Sequence, residues 1–277
     1  MKLKMNLKSK KLIHPMPIII LIVVLFIILL LGSSHRENFT DKSPSQDKII
    51  LITQYFIHPD KKRREEFEYA FQQNVNNPKI DKILLLNERI YTPEELGTNS
   101  PKIQQVNHQK RLTFQDAFQA MKNHGGNNYY MLANFDIFFD KTLSNLRKIK
   151  LDERKYTIAL VRNEFKKGQR LKDCKTTGVN WAQDTWIIHT SNLKTLTDER
   201  LKELDFRMGV GRCDNRLAYL LKEWDLKPQS IPNVIRSYHI HDEEEPNKGW
   251  KYQKQVQGQG LFLDPDYSTV ENYKIPK

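Results

Sequence analysis

Cysteine is scarce in this chain, which has only two among 277 residues, Cys174 and Cys213. Two thiols are too few for a disulfide framework or for a zinc site built from cysteines. They could still pair with each other in an oxidising compartment, where disulfides persist. The fold must therefore depend on a hydrophobic core, and 277 residues in one large domain or two small ones can bury a substantial core.

Two nucleotide-related patterns are also missing. Gly209 and Gly211 form a Gly-x-Gly, but no third glycine follows at the required spacing and no strand directly precedes it, so this is not a dinucleotide fingerprint. The net charge is +12, yet the basic residues do not alternate with aromatic ones as in a nucleic-acid-binding protein. We predict no nucleic-acid partner. The scattered basic residues could instead serve anionic substrates such as nucleotide diphosphates, or form a solvated surface.

Only one apolar run is long enough to cross a membrane. Residues 15–32 carry no charge and consist mainly of Ile, Leu and Val, and at about 1.5 Å per residue they nearly match a hydrocarbon core of about 30 Å. We predict a signal anchor here, with the lysine-rich tail of residues 1–14 in the cytoplasm. A polar stem follows over residues 33–47. The alternative is a cleaved signal peptide, whose apolar region is usually about 7–15 residues long.

Strand-like and helix-like segments alternate after the stem. The apolar strand candidates are residues 48–56, 80–86, 103–106, 129–133 and 156–161, and the amphipathic helix candidates are residues 60–75 and 113–121. This alternation predicts an α/β domain over residues 48–245, with a mostly parallel central sheet flanked by helices. Residues 162–178 are predicted to be a basic loop, and residues 246–277 a C-terminal extension.

Oxygen-bearing side chains follow directly after the strand candidate at residues 129–133. Asn134 and Asp136 flank a phenylalanine, and Asp140 comes four residues later. Ligands of open α/β sheets bind beyond the carboxyl ends of the strands, and carboxylate and amide oxygens suit Mg²⁺ or Mn²⁺. The simpler explanation is a turn, which Asn and Asp favour. The position at a strand end favours a metal–diphosphate site at Asn134 and Asp136, with Asp140 a turn or helix cap.

The second half of the chain adds three candidates. Asp184 directly precedes an apolar strand candidate, and Asp214 follows a glycine-rich turn at the start of a helix, where a negative charge is favoured. His239 and His241 would share one face of an extended segment. The simpler explanations are a turn residue for Asp184, a helix N-cap for Asp214 and surface positions for the histidines.

At these residues the chain resembles the glycosyltransferase-like proteins of the nucleotide-diphospho-sugar transferase superfamily, which have the GT-A fold. The resemblance extends from about residue 48 to residue 241. It depends on four blocks, residues 64–88, 111–118, 132–140, and 183–187 together with 211–216. It implies that Asn134-Phe135-Asp136 occupies the place of the DxD motif, which holds Mn²⁺ or Mg²⁺ against the donor diphosphate. Asn134 replaces the first acid of that motif.

The resemblance also implies roles for single residues. An acid near a helix N-terminus after a glycine-rich turn suggests Asp214 as the general base, with Asp184 as the second choice. A late histidine that completes the metal shell suggests His239 or His241. Two further residues are expected to contact the donor phosphates, because arginine forks match phosphate oxygens: Arg111 and Arg216.

The sequence thus predicts a type II membrane glycosyltransferase with its catalytic domain in a Golgi-like lumen or another extracytoplasmic space. It would transfer a sugar from a nucleotide-diphosphate donor to a hydroxyl group of a glycan, lipid or protein, assisted by Mn²⁺ or Mg²⁺. The alternative is a non-catalytic carbohydrate-binding protein on a degenerate transferase fold, which Asn134 favours. A third and weaker alternative is a metal-dependent phosphoesterase. Such an enzyme would need more histidine and aspartate ligands in the first half of the domain.

Overall fold

A seven-stranded sheet forms the centre of the computed structural model, which describes residues 47–240 and 255–274. The strands described are β1 (Lys48–Thr53), β2 (Lys82–Asn87), β3 (Ile103–Asn107), β4 (Asn128–Ala133), β5 (Ile137–Phe139), β6 (Tyr156–Val161), β7 (Asn163–Phe165), β8 (Lys175–Thr176), β9 (Gln183–His189), β10 (Lys227–Gln229) and β11 (Ser237–Ile240). The α-helices are α1 (Lys61–Asn76), α2 (Pro93–Leu96), α3 (Phe114–His124), α4 (Leu146–Ile149), α5 (Thr190–Leu193), α6 (Asp198–Lys202) and α7 (Cys213–Glu223). Short 3₁₀ helices cover Lys141–Asn145, Leu151–Glu153 and Leu171–Asp173.

The predicted tail, anchor and nearly all of the stem, residues 1–46, lie outside the described residues. Within the described part, no helix is long and apolar enough to cross a membrane.

The strand order in the large sheet is β10-β6-β9-β4-β1-β2-β3. The pairs β1–β2, β1–β4, β2–β3 and β6–β10 are parallel, whereas β9 is antiparallel to both of its neighbours, β4 and β6. Six strands therefore point the same way, and the predicted α/β class with a mostly parallel sheet is confirmed. The chain leaves β1 toward β2 and β3 and then returns to place β4 on the other side of β1.

Both faces of the sheet are covered, which explains why β1 is an uninterrupted apolar run. Ile49 and Leu51 belong to the hydrophobic core that α1 covers, and Ile50 and Ile52 belong to the core that α3 and α7 cover. All four side chains are buried. Full burial of such a side chain contributes about 1.5–3 kcal/mol, so β1 is anchored from both sides.

Local signals in the sequence define the start of helix α3. The Thr113 side chain accepts a hydrogen bond from the Asp116 backbone N–H at 3.2 Å, and Asp116 accepts one from the Thr113 N–H at 3.1 Å. This capping box satisfies donors that the first helical turn leaves open. The helix continues to His124, one turn beyond the predicted end, and Gly125 follows with φ +66°.

A second, four-stranded sheet with the order β5-β11-β7-β8 lies in a region predicted to be partly loop. The prediction of a continuous basic loop over residues 162–178 is wrong, because β7 and β8 both lie in it. Strand β7 pairs with β11, about 75 residues later in the chain, through Asn163 opposite Tyr238 and Phe165 opposite Ile240. Strand β8 pairs with β7, and strands of two or three residues are too short to show a periodic pattern in the sequence.

The described part of the C-terminal extension, residues 255–274, packs back onto the domain. The Leu261 N–H donates to the Asn215 carbonyl at 2.9 Å, and the Leu263 N–H donates to the Asn180 carbonyl at 3.0 Å. These bonds attach the segment to helix α7 on one side and to the approach to β9 on the other.

Candidate functional site

The candidate site lies where the large sheet changes its direction of growth. Strands β1 and β4 are neighbours, but the chain continues from them to opposite sides of the sheet. Beyond their carboxyl ends an open α/β sheet forms a crevice, and ligands bind in such crevices. Asn134 and Asp136 directly follow β4, so the sequence-based placement of these residues is confirmed.

Phe135 anchors the turn that presents Asn134 and Asp136. Its ring is buried, with ring centroids 5.1 Å from Tyr55 and 5.6 Å from Phe71. The Ile137 N–H donates to the Asn134 carbonyl at 3.2 Å and closes the turn. Because the middle residue is held in the core, the two polar residues beside it reach the walls of the crevice.

The Asp136 carboxylate lies between two cationic groups. Its Oδ2 is 3.1 Å from Arg63 Nη2 and 3.1 Å from His239 Nε2. Burial alone would raise the pKa of Asp136, but the charges of His239 and Arg63 hold that pKa well below its usual range. Asp136 is therefore ionised at physiological pH.

His239 connects Asp136 to a second acid. Its Nδ1 lies 3.1 Å from Glu164 Oε2 on strand β7, while its Nε2 faces Asp136. Burial would lower the pKa of His239, but the two neighbouring carboxylates raise it to about 9. For Glu164, burial would raise the pKa, whereas the hydrogen bond to His239 and the charge of Arg162 lower it to about 2.

Asp184 is held by two donors. Asn134 Nδ2 donates to its Oδ1 at 2.8 Å, and Arg162 Nη1 donates to its Oδ2 at 2.6 Å. Arg162 also donates from Nε to Glu164 at 2.9 Å, so one guanidinium group joins both acids. Asp184 is the second residue of β9 and not a turn residue before it. The prediction that it precedes the strand was off by two residues.

Asp214 differs from the other acids because it forms no ion pair with any described residue. It lies in the first turn of α7, after Arg212 with φ +66°, and its Oδ1 is 3.5 Å from the Cys213 thiol. Arg212 and not Asp214 is the N-cap residue, so the simple capping explanation is wrong. Burial raises the pKa of Asp214 well above its usual value, and the nearby charge of Asp184 raises it further. Cys213 and Cys174 are free thiols.

Two adjoining cavities meet at Asn134 and Asp136. The larger, about 900 Å³, is called the acid cavity because Asp184 and Asp214 line it. The smaller, about 610 Å³, is called the aromatic cavity, and its wall includes Phe56, Phe67, Tyr91 and Phe135. Both cavities are also lined by two further residues, Arg63 and Gly209.

The aromatic cavity contains groups suited to a planar, polar ligand. Arg111 and Glu88 line it, and the guanidinium of Arg89 lies 3.8 Å from the centroid of the Tyr91 ring. Thr53, at the end of β1, also lines it, and its buried hydroxyl has no hydrogen-bond partner among the described residues. Ligand pockets typically combine apolar walls with a few placed polar groups in this way.

The residues at the junction of the cavities fit a divalent metal held jointly with a substrate. Within the described ranges, no three His, Cys, Asp or Glu side chains form a group that could hold a metal by themselves. Asp136 and His239 nevertheless converge, and Glu164 accepts from the other ring nitrogen, as carboxylates do for metal-binding histidines. Mg²⁺-type ions are often held by one or two carboxylates and completed by substrate phosphates. Asn134 could add an amide oxygen.

Two other predicted residues do not join this cluster. Arg216 lies outside both cavities, where its Nη1 donates to the Gln259 carbonyl at 3.3 Å and its guanidinium lies 5.5 Å from the Tyr219 ring centroid. His241 lies outside the described residues. The remaining predicted residues, Arg111, Asn134, Asp136, Asp184, Asp214 and His239, line the two cavities or contact a residue that does.

Sequence reasoning missed three charged residues that connect the site. Arg63 belongs to a basic run that resembles an ordinary solvated helix surface, and Arg162 and Glu164 lie in the region predicted to be a loop. One signal could have found Arg162, because it directly follows β6 and so lies at the same sheet edge as Asn134. Nothing local marks Glu164, whose role depends on the pairing of β7 with β11.

No protein-family model matches this chain, and none of the curated proteins does. Solved glycosyltransferase structures are similar to it. GalNAc-T7 with UDP, GalNAc and Mn²⁺ is 10% identical over 73% of this chain and 45% of that chain, with a TM-score of 0.49. The mannosyltransferase PcManGT from Pyrobaculum calidifontis, in complex with GDP-Man and Mn²⁺, is 13% identical over 84% and 69%, with a TM-score of 0.44.

A third similar structure is the apo form of the glycosyltransferase GlyE from Streptococcus pneumoniae TIGR4. It is 14% identical over 68% of this chain and 46% of that chain, with a TM-score of 0.42. This chain therefore spans about half the length of two of these proteins. At such identities and TM-scores the similarity assigns no activity to this chain.

Proposed function

We propose that this protein is a GT-A-type glycosyltransferase that transfers a sugar from a nucleotide-diphosphate donor to a hydroxyl group. One observation carries the proposal: two adjoining cavities meet at Asn134 and Asp136, beyond the strand ends of the sheet, and one of them is lined by Asp214, a carboxylate with no ion-pair partner among the described residues. A nucleotide-sugar donor has a flat nucleoside at one end and a sugar at the other, with a diphosphate between them. This shape matches two cavities that meet at the charged residues Asp136 and Arg63.

The nucleoside of the donor would occupy the aromatic cavity. Phe56 and Tyr91 offer ring surfaces, and Thr53, Glu88 and Arg111 offer groups that hydrogen-bond to a base or a ribose. In this arrangement the diphosphate lies at the junction, next to Asn134 and Asp136.

The diphosphate needs positive charge as it leaves with the electron pair of the broken bond. Arg63 lies at the junction and lines both cavities, and Arg111 lines the aromatic cavity. Asp136, Asn134 and His239 in its neutral form would hold Mn²⁺ or Mg²⁺, which when bound neutralises diphosphate charge. The chain's own arginines orient the phosphate oxygens by forked hydrogen bonds.

Asp214 is the residue we assign as general base. In a direct displacement, an acceptor hydroxyl oxygen bonds to the anomeric carbon, the bond to the diphosphate breaks, and the hydroxyl proton passes to Asp214. Burial and the charge of Asp184 raise the pKa of Asp214, which makes its carboxylate a stronger base than that of an ordinary aspartate. Asp184 is already held by Asn134 and Arg162, so we assign it a positioning role.

The experiment that tests this function uses the full-length chain in detergent micelles with a panel of UDP- and GDP-sugars and Mn²⁺. We expect nucleotide binding by calorimetry and release of nucleoside diphosphate. Asp136→Asn should abolish the metal-dependent part of nucleotide binding, and Asp214→Asn should lower turnover by about 10²–10⁴-fold while nucleotide affinity is unchanged. Glu153→Gln, an exposed acid outside both cavities, is the matched control.

Two outcomes would contradict the proposal. Failure to bind any nucleotide would exclude a nucleotide-sugar transferase. Binding of sugars without turnover of any donor would favour the alternative of a non-catalytic carbohydrate-binding protein, for which the amide of Asn134 in place of an acid is the supporting observation.

Membrane anchoring is a separate part of the proposal and is supported by the sequence alone. Residues 15–32 would span the bilayer, with residues 1–14 in the cytoplasm and the catalytic domain in a Golgi-like lumen or another extracytoplasmic space. Protease added to the cytoplasmic side of sealed vesicles should leave the domain intact. Its degradation would contradict this orientation.

A further inference from the structure

Two large aromatic side chains stand exposed at the wall of the acid cavity. The exposed fractions are 50% for Trp181 and 62% for Phe262, and both residues line the cavity together with Asp184 and Asp214. Burying a phenylalanine side chain usually contributes about 1.5–3 kcal/mol to stability. The exposed Phe262 does not make this contribution, whereas the leucines on either side of it pack against the core.

Backbone bonds on both sides hold Phe262 in this exposed position. Leu261 donates to the Asn215 carbonyl at 2.9 Å, and Leu263 donates to the Asn180 carbonyl at 3.0 Å. Both leucines pack against the core, whereas the ring between them stays in solvent. The exposed ring is therefore fixed by the fold and is not the end of a loose segment.

The bond to Asn180 also brings the backbone at Trp181 close to the backbone at Phe262. Asn180, the residue before Trp181, accepts from the Leu263 N–H, and its side chain donates to Asp264 at 2.9 Å. Its carbonyl also accepts from the Gln183 side chain at 3.0 Å, which ties this stretch to the start of β9. The backbones that carry the two rings thus run side by side along one wall of the cavity.

The wall requires a ligand with apolar faces and many hydroxyl groups. A purely apolar ligand would bury Asp214, which has no ion-pair partner among the described residues, without giving it a further hydrogen bond, which is costly. A second nucleotide would place its phosphates beside two carboxylates. A pyranose ring has C–H groups on its faces that pack on aromatic rings, and hydroxyl groups at its edge that reach carboxylates and guanidinium groups.

We propose that Trp181 and Phe262 form a stacking platform for the pyranose ring of a carbohydrate acceptor, and that this platform presents an acceptor hydroxyl to Asp214. The inference rests on the proposed function and narrows it from any hydroxyl acceptor to a carbohydrate. It assigns the sugar acceptor to the acid cavity and leaves the aromatic cavity to the nucleotide.

The platform is tested by direct sugar binding, without any transfer reaction. The full-length chain in detergent micelles, saturated with UDP or GDP, is titrated with the methyl pyranosides of glucose, galactose, mannose and N-acetylglucosamine. Binding is followed by saturation-transfer NMR and by tryptophan fluorescence. We expect at least one pyranoside to bind, with saturation concentrated on the protons of one ring face.

Variants assign the binding to the two rings. Trp181→Ala and Phe262→Ala should each weaken sugar binding by about tenfold, whereas Trp181→Phe and Phe262→Tyr, which retain a ring, should keep most of it. Tyr267→Ala is the matched control, because Tyr267 is 48% exposed in the same segment but does not line the acid cavity. Nucleotide affinity should be equal in all five variants.

The results separate this inference from the proposed function. If nucleotide binds but no pyranoside does, or if both alanine variants bind sugar normally, the platform is wrong and an acceptor of another class is indicated, while the transferase proposal stands. If pyranosides bind through the two rings but no donor is turned over, the platform is correct and the transferase proposal fails.

Discussion

Asp214 combines two unfavourable features, burial and a like charge nearby, and the structure offers it no ion-pair partner among the described residues. Burial is the larger cause of its raised pKa, and Asp184 is the second. By contrast, the other acids of the site are each matched by a cation, Asp136 by Arg63 and Asp184 by Arg162. Strongly displaced pKa values cluster at functional sites, and a carboxyl group with a raised pKa is suited to accept a proton.

The pH dependence of turnover should report the ionisation of Asp214. A base works only when deprotonated, so activity should fall as the pH drops through the raised pKa of Asp214. Asp184→Asn removes the neighbouring negative charge and leaves Arg162 with one acid partner, Glu164, instead of two. Both changes favour ionised Asp214, so the acidic limb of the kcat profile should move to lower pH.

The measurement is a pH–rate profile of this variant, of wild type and of Asp225→Asn, in which the changed acid is exposed and far from both cavities. The limb should shift only for Asp184→Asn. A shift to higher pH would rule out Asp214 as the base, whatever the loss in maximal rate.

The ionisation of Asp214 should also change folding stability with pH. An unfolded Asp has a pKa of about 3.9, and the folded-state pKa of Asp214 is raised above this value. Its contribution to stability is therefore fully present below about pH 4 and is lost as pH rises through the folded-state pKa. The amide in Asp214→Asn does not ionise, so the variant keeps this stability as the pH rises. It should therefore unfold at a higher temperature than wild type at neutral pH.

Thermal unfolding measured from pH 4 to pH 8 checks this. The melting temperature of Asp214→Asn should exceed that of wild type by roughly 2–4 °C for each kcal/mol relieved, and the difference should shrink toward pH 4. A variant that is less stable than wild type at neutral pH would show that Asp214 stabilises the fold instead.

The sequence revealed the acids of the site more readily than their partners. Asp136 and Asp214 were found because each stands at a position with local meaning, a strand end and the first turn of a helix. Glu164 was missed because its contact with His239 exists only when β7 and β11 pair. Arg216 was expected to contact the donor phosphates because arginine binds phosphate well. Its side chain instead points to Gln259, and the sequence does not reveal this direction.

Strands and helices that carry local signals in the sequence were predicted well. The amphipathic pattern of residues 113–121 predicted the start of α3, and an uninterrupted apolar run predicted β1, since neither depends on distant residues. The short strands β7 and β8 were not predicted, because two or three residues carry no periodic pattern. They form only by pairing with strands that are distant in sequence or with each other.

The attachment of the C-terminal segment to the domain should depend on a glycine that lies against Arg216. Gly258 has φ +101°, and a Cβ added there would lie 3.1 Å from the Arg216 guanidinium. Gly258→Ala should therefore both strain the backbone and displace Arg216, which holds the segment by its bond to Gln259. We expect a loss of unfolding free energy of more than about 1 kcal/mol.

Gly168→Ala is the matched control, because Gly168 has φ +88° but no atom within 4 Å of an added Cβ. Urea unfolding of both variants should show a larger loss for Gly258→Ala, and the excess is the cost of the contact with Arg216. Equal losses would mean that backbone strain alone matters and that the segment is not held through Arg216.

For the whole molecule, the position of the site follows from topology. Strands β1 and β4 part in opposite directions, and the crevice beyond their carboxyl ends is where α/β sheets bind ligands. The alternation of strands and helices along the sequence was enough to predict this edge of the sheet. The division into two cavities was not predictable, since the acid cavity needs β9, α7 and residues 255–262 together.

Hydrogen exchange should distinguish the carboxyl ends of the strands in the large sheet from their amino ends. Nucleoside diphosphate with Mn²⁺ should slow exchange at the carboxyl ends of β1, β2 and β4, within residues 53–57, 88–91 and 134–136, because these segments line the aromatic cavity. A cavity of about 390 Å³ before β4, lined by Gly125–Asn127, is the internal control. Exchange there should not change, because the sheet directs ligands to the opposite edge. Protection at Gly125–Asn127 without protection at residues 134–136 would contradict the assignment of the site to the strand ends.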